Sequence, residues 1–163
     1  MYMAERYFER DSLNLAINGD GNFLGFEDIT SDYGITKSSD LANYYLGISY
    51  IRKGEYETGI GYLEKFDGSD AMVAAVSLGA IGDAYANLKE TDKAITYYKK
   101  AANYNDNGFT SPIFLLKLAK MYDYTENYAK ALETYTKLQE NYPNSNQAQN
   151  IEKYIALAKA RVQ

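Results

Sequence analysis

The chain has 163 residues, 22 acidic against 17 basic side chains for a net charge of −5, and neither cysteine nor histidine. Without those two residues there are no disulfides or thiolate metal sites, and the commonest general base and metal ligand are gone with every His-dependent triad. Lys and Arg are scattered rather than clustered, as a nucleic-acid binder would not have them, and the longest apolar run, AMVAAV at 71–76, is far below the roughly 18 residues of a spanning helix.

One domain with a real core is therefore expected, soluble as given, with no metal, no cofactor and no membrane contact of its own. The aromatic supply is unusual, with 18 Tyr and no Trp. Tyrosine suits places where a ring is buried while its hydroxyl reaches water or a partner. Shallow helix stacks offer many such places.

From the N-terminus, the pattern predicts a helix over about Ala4 to Ile17 with Phe8 and Leu15 on its buried side. The stretch NGDGN at 18–22 follows, then a helix over about Phe23 to Asp32 before a turn at Gly34. As a calcium loop started at Asn18, the stretch places Asp20 and Asn22 correctly, but Phe23 and Ile29 fall where Gly and Glu are needed. No Gly-Lys-Ser/Thr follows for a phosphate-binding loop. The stretch reads as a turn.

Further along, LGISY at 46–50, IGDAY at 81–85 and LAKMY at 118–122 share one pattern: apolar, small, two variable, Tyr. Twelve residues after the small residues Gly47, Gly82 and Ala119 stand Gly59, Ala94 and Ala131. Four further on come Leu63, Tyr98 and Tyr135, and three later Phe66, Ala101 and Leu138. Each copy predicts two helices, with the small residue of helix A letting helix B approach closely and the large residue filling space beneath the next unit. Ser39-Asp40, Ser69-Asp70 and Ser111-Pro112 read as helix starts, and Lys53-Gly54-Glu55 as an A-to-B turn. Thirty-four residues before Gly54 and Gly59 lie Asp20 and Gly25, which makes NGDGN the A-to-B turn of a degenerate earlier unit. After Pro143, Ile151, Tyr154, Ile155, Ala158 and Val162 form one apolar helical stripe with Glu152, Lys153, Lys159 and Arg161 opposite. That is what a terminal capping helix needs.

These spacings resemble the tetratricopeptide repeat, W-x2-L-G-x2-Y…A-x3-F…P. The best copy is LGAIGDAYANLKETDKAITYYKKA at 78–101, with Leu78 at the usual Trp position. The resemblance implies an all-α fold, a right-handed superhelical stack of helix-turn-helix repeats with a C-terminal capping helix. Its parts would be a degenerate pair at 1–36, repeats at 40–70, 75–108 and 112–144, and the cap at 145–163.

Acidic pairs at Asp67/Asp70, Glu55/Glu57 and Glu90/Asp92 could serve glycoside hydrolysis, but they read as solvated turns and helix starts. No enzyme is expected. In proteins of the repeat family the helix-A face opposite helix B lines a groove for a partner segment. Carried over, it comprises Leu41, Tyr44, Ile48, Ile51 and Arg52 in the first copy. The second supplies Val76, Gly79, Asp83, Ala86 and Asn87, and the third Ile113, Leu116, Lys120, Asp123 and Tyr124. Chaperone-tail binders carry Lys and Asn where Tyr44 and Ile48 stand, so a protein or peptide segment with apolar anchors fits better than a C-terminal carboxylate. A non-catalytic scaffold or adaptor is the expected function, and a homo-oligomer with the groove filled by its own chain is the alternative.

The stretches NGDGNFLGFEDI, LANYYLGISY and DNGFTSPIFLLKLA also resemble tetratricopeptide repeat proteins of the Bacteroidetes group, which are similar to ancillary translocon subunits and cell-division coordinators of Gram-negative bacteria. This resemblance implies a periplasmic location and an inner-membrane anchor preceding the abrupt start MYMAERYF, which reads as a trimmed end.

Overall fold

A computed structural model describes residues 1–34, 36–68 and 70–162, and all regular structure in these residues is helical. The chain divides into two compact units, Met1–Asp70 and the residues from Ala71 onward.

In the first unit, α1 (Tyr2–Glu9), α2 (Leu13–Asn18) and α3 (Phe26–Asp32) precede the pair α4 (Lys37–Arg52) and α5 (Tyr56–Leu63). The expected helix over 4–17 is broken. Asp11 takes a left-handed conformation, φ +58°, and the Ser12 N–H donates to the Tyr7 carbonyl. This closes α1 as a Schellman turn, at a residue type that tolerates that conformation. Ala4 and Ala16, both fully buried and twelve residues apart, thereby repeat the small-residue spacing of the later pairs. The small-residue spacing thus falls on α1 and α2, whose turn lies at Arg10–Ser12, and NGDGN joins α2 to α3 instead of making that turn. Leu15 is 40% exposed, against expectation, and Phe23 and Leu24 lie outside α3 and in water.

NGDGN is a turn held from within. Asp20 Oδ1 accepts from the Asn22 and Phe23 amides at 2.9 and 2.8 Å, and Oδ2 accepts from the Tyr7 hydroxyl at 2.6 Å. Gly19 has φ +77°, and a Cβ there would stand 2.8 Å from the Gly25 nitrogen. The strands of the loop cross too closely for any side chain. The core beneath consists of Ala4, Ala16, Ile17, Phe26, Ile29, Ala42 and Leu46. Phe26 stacks on Tyr45 at 4.9 Å, and Phe8 meets the same ring edge-on at 5.0 Å.

The second unit contains α6 (Ala71–Asn87), α7 (Thr91–Asn103), α8 (Thr110–Tyr124), α9 (Tyr128–Asn141), a 3-10 turn at Asn146–Ala148 and α10 (Ile151–Arg161). Neighbours in the chain pack in order: α6 on α7, α7 on α8, α8 on α9, α9 on α10. A core running from Ala75 to Ala158 threads all of them. Ile151, Ile155 and Ala158 of α10 are buried as the stripe predicts, while Val162, past the helix end, is exposed.

The turns of the three later pairs share the form of the Asp11 turn. The second residue past the helix end is left-handed in each, Gly54, Lys89 and Glu126, and the next N–H donates to the carbonyl of Tyr50, Tyr85 or Tyr122. Helix starts differ from expectation. Thr36, not Ser39, caps α4, accepting from the Ser39 amide at 3.2 Å, and Asp40 instead accepts from the Asp67 amide at 2.7 Å. Asn107 Oδ1 accepts from the Phe109 and Thr110 amides, each at 2.8 Å, so α8 starts before Ser111 and Pro112 sits inside its first turn. The first-turn amides have no intrahelical partner in any case, so the proline costs no bond. Ser69 lies outside the described residues.

Candidate functional site

The helix pairs are joined where side chains are missing. A Cβ on Gly47 would stand 2.9 Å from the Gly59 carbonyl oxygen, and one on Gly59 would stand 2.8 Å from that of Gly47. In the next pair the ring of Tyr98 lies over Gly82, 2.7 Å from where a Cβ would be. The large residues at this position, Leu63 and Tyr98, therefore pack within their own pair. Tyr98 also has Lys117 of α8 5.8 Å from its ring, and Tyr135 stacks on Tyr154 of α10 at 5.5 Å.

On α4 of the first unit, Leu41, Tyr44 and Ile48 are half-buried. The Tyr44 ring lies 5.6 Å from Tyr45 and 5.4 Å from Phe66, and burial pushes its hydroxyl above the ordinary phenol range. Two expected groove residues face elsewhere. Ile51 packs over Gly59, because a glycine there leaves room only for a neighbour's side chain. Arg52 lies over the Phe8 ring at 4.5 Å and pairs with Asp11 at 3.8 Å, so the N-terminal helix engages it.

In the second unit, Asp83 of α6 accepts from the Tyr98 hydroxyl at 2.7 Å and from Lys117 Nζ of α8 at 2.6 Å. It ties two repeats together. Asn87 donates to the Asp83 carbonyl at 2.8 Å. Gly79 is buried under the Phe114 ring and is not on an open face. On α8, Leu116 is half-buried against the core, Lys120 is exposed with its ammonium 5.9 Å from the Tyr154 ring, and Asp123 Oδ2 accepts from the Tyr135 hydroxyl at 2.7 Å. Tyr124 stands in water, 72% exposed.

The tyrosine hydroxyls have distorted chemistry. Burial pushes Tyr98 and Tyr135 far above the phenol range, and their bonds to Asp83 and Asp123 add to it; Tyr50, bonded to Glu27 at 2.6 Å, behaves alike. They stay protonated and serve as hydrogen-bond donors, not as acids.

A second aromatic series runs outside the expected face. Tyr50 stacks on Tyr62 at 5.6 Å, and Tyr85 meets Tyr97 at a tilt at 5.5 Å, with Lys53, Lys65, Lys93 and Lys100 each 4.7–5.5 Å from one of these rings. The signal was present as Tyr-x11-Tyr in two consecutive copies. Each ring takes a lysine ammonium at cation–π distance, while tyrosine lets an apolar ring pack and keeps a polar hydroxyl near water.

No helix among the described residues is long and apolar enough to cross a membrane. Family models for the tetratricopeptide repeat match residues 41–67, 75–107 and 114–145, together more than half of the chain. No curated protein sequence matches it. Among solved structures, one titled the crystal structure of MamA protein is similar at a TM-score of 0.76 with 20% identity, over 99% of this chain and 79% of that one. The kinesin light chain tetratricopeptide-like repeats of Podosopora anserina, described as putative, are similar at 0.71 with 13% identity, over 98% and 83%. At such identities the likeness speaks for the fold, and the repeat matches speak for the family: the chain belongs to the tetratricopeptide repeat proteins.

Proposed function

We propose that this chain is a non-catalytic scaffold or adaptor that captures a segment of a partner protein on the helix-A faces of its repeats. The observation that carries the reading is Tyr124, a large ring left in water at the end of α8 while its neighbour Asp123 is bonded inward. Aromatic side chains held on rigid helices make strong anchors, because little ordering cost is incurred when they are covered. Lys120, Leu116 and Asn87 of the second unit, and Tyr44, Leu41 and Ile48 of the first, supply the same faces with mixed polar and apolar contacts.

The test is photo-crosslinking from position 124 in native cells, followed by calorimetry with the segment identified. Tyr44→Ala combined with Tyr124→Ala is expected to weaken that segment about tenfold or more, as for buried aromatic anchors. An unchanged affinity removes the faces from the binding account. Self-association is the second reading, supported by the apolar Leu157 and Val162, both near half exposed at the C-terminal helix. A light-scattering mass that stays monomeric over a wide dilution range rejects it. The resemblance of NGDGNFLGFEDI and DNGFTSPIFLLKLA supports a periplasmic, tethered parent protein, which the coding sequence upstream of Met1 tests.

A further inference from the structure

Between α7 and α9, over α8, opens a cleft of about 210 Å³. Leu115 and Leu118 of α8, almost fully buried, line it, and Lys99, Lys130 and Lys137 stand around them. Asn103 Oδ1 accepts from Lys137 Nζ at 3.3 Å, and Lys130 lies 5.7 Å from the Tyr122 ring centre. Glu133 also borders the cleft, yet among the described residues no carboxylate comes within ion-pair distance of any of the three ammonium groups. The cleft is thus cationic on a chain whose net charge is negative.

Its size is that of one or two side chains, below the roughly 300 Å³ at which small-molecule pockets begin. Ammonium groups over an apolar floor fit a carboxylate carried beside an apolar side chain. Lys130 and Lys137 are seven residues apart on α9, two helical turns or about 10 Å. A helix with the pattern Glu-x-x-Leu-Leu-x-x-Glu presents carboxylates at that same separation, with leucines between them. A nucleic-acid backbone fits less well, since the floor offers it nothing and the chain as a whole repels it.

We propose that this cleft docks an acidic amphipathic helix of a partner protein, whose carboxylates meet Lys130 and Lys137 and whose apolar residues rest over Leu115 and Leu118. The surface is separate from the helix-A faces, so either can fail without the other.

The probe is a fluorescein-labelled, alanine-based helical peptide containing Glu-Ala-Ala-Leu-Leu-Ala-Ala-Glu, titrated by anisotropy against the whole chain. Saturable binding is expected, weakened about tenfold or more when both glutamates become glutamine, or when the protein carries Lys130→Gln with Lys137→Gln. Tyr124→Ala is expected to leave it unchanged. Both lysines are exposed, and an unaltered helical circular dichroism melt shows that the variant folds. Equal binding of the glutamine peptide, or no saturation, overturns the proposal. So does tighter binding of oligothymidylate lost in the same variant, or self-association lost in that variant without peptide binding.

Discussion

At the scale of single residues, the tyrosines carry the fold's polar chemistry. Tyr98 is nearly inaccessible, yet its hydroxyl reaches Asp83, which is shared with Lys117 from the next repeat. Burial and the carboxylate together hold the phenol protonated well above its ordinary pKa. Tyr135 with Asp123 and Tyr50 with Glu27 repeat the arrangement. The sign follows from linkage: above about pH 10 the unfolded chain loses phenol protons that the folded chain keeps, so stability is complete below that pH and falls as pH rises. Guanidinium midpoints measured from pH 8 to pH 11 should therefore drop at the alkaline end. Tyr98→Phe should be about 1 kcal/mol less stable at pH 8, where a hydrogen bond is lost, and should show a shallower alkaline fall. An identical fall in the variant would mean that Tyr98 titrates normally. The recurrence of Tyr98 and Tyr135 was legible in the sequence, but the acceptor of each hydroxyl was not. Asp83 lies one residue after the small position and Asp123 four after it, so no fixed spacing links acceptor to ring.

At the scale of helix pairs, closeness of approach is graded. The first pair has glycine on both helices, the second Gly82 with Ala94, and the third Ala119 with Ala131. Only in the first does each glycine's missing Cβ make room for the other's carbonyl. Gly47→Ala should destabilise by about 1–3 kcal/mol, since a backbone oxygen cannot step aside as a side-chain tip can. Gly61, on the exposed side of α5 with nothing within 4 Å of its absent Cβ, gives the contrast. There alanine should stabilise by about 0.5–1 kcal/mol through helix propensity alone. Thermal melts of the two variants should shift in opposite directions, and a stable Gly47→Ala would disprove close approach as the reason for glycine. The small-residue spacing made these pairs readable. Turns were less so, because only Gly54 announces its left-handed position, whereas Lys89 and Glu126 adopt it through the Schellman bonds to Tyr85 and Tyr122. The same concealment explains the N-terminal misreading: Asp11 turns the chain with no glycine, while the conspicuous glycines of NGDGN serve a different connection.

At the scale of the whole molecule, the two units differ in charge and in the completeness of their cores. Residues 1–70 hold 13 acidic and 6 basic side chains, and the rest of the chain 9 and 11. Counting over the whole sequence hides this, which is why the lysines around Leu115 and Leu118 looked scattered. The expected groove was legible as a periodic face, but periodicity does not tell which of its members are already engaged by Phe8, Gly59, Tyr98 or Tyr135. The second unit has a continuous core through five helices and ends on α10, whose buried Ile151 and Ile155 cover it and whose other side carries Glu152, Lys153 and Lys159 beside the exposed Leu157. Repeat stability is close to a sum of neighbour terms. A fragment of residues 71–163 should therefore unfold cooperatively on its own, with a circular dichroism melt that is sigmoidal and independent of concentration. Truncating α10 from that fragment should expose Leu138 and Tyr135, both fully buried, and lower its midpoint sharply. If removing α10 leaves the midpoint unchanged, then that helix is an attachment and not the cap that completes the stack.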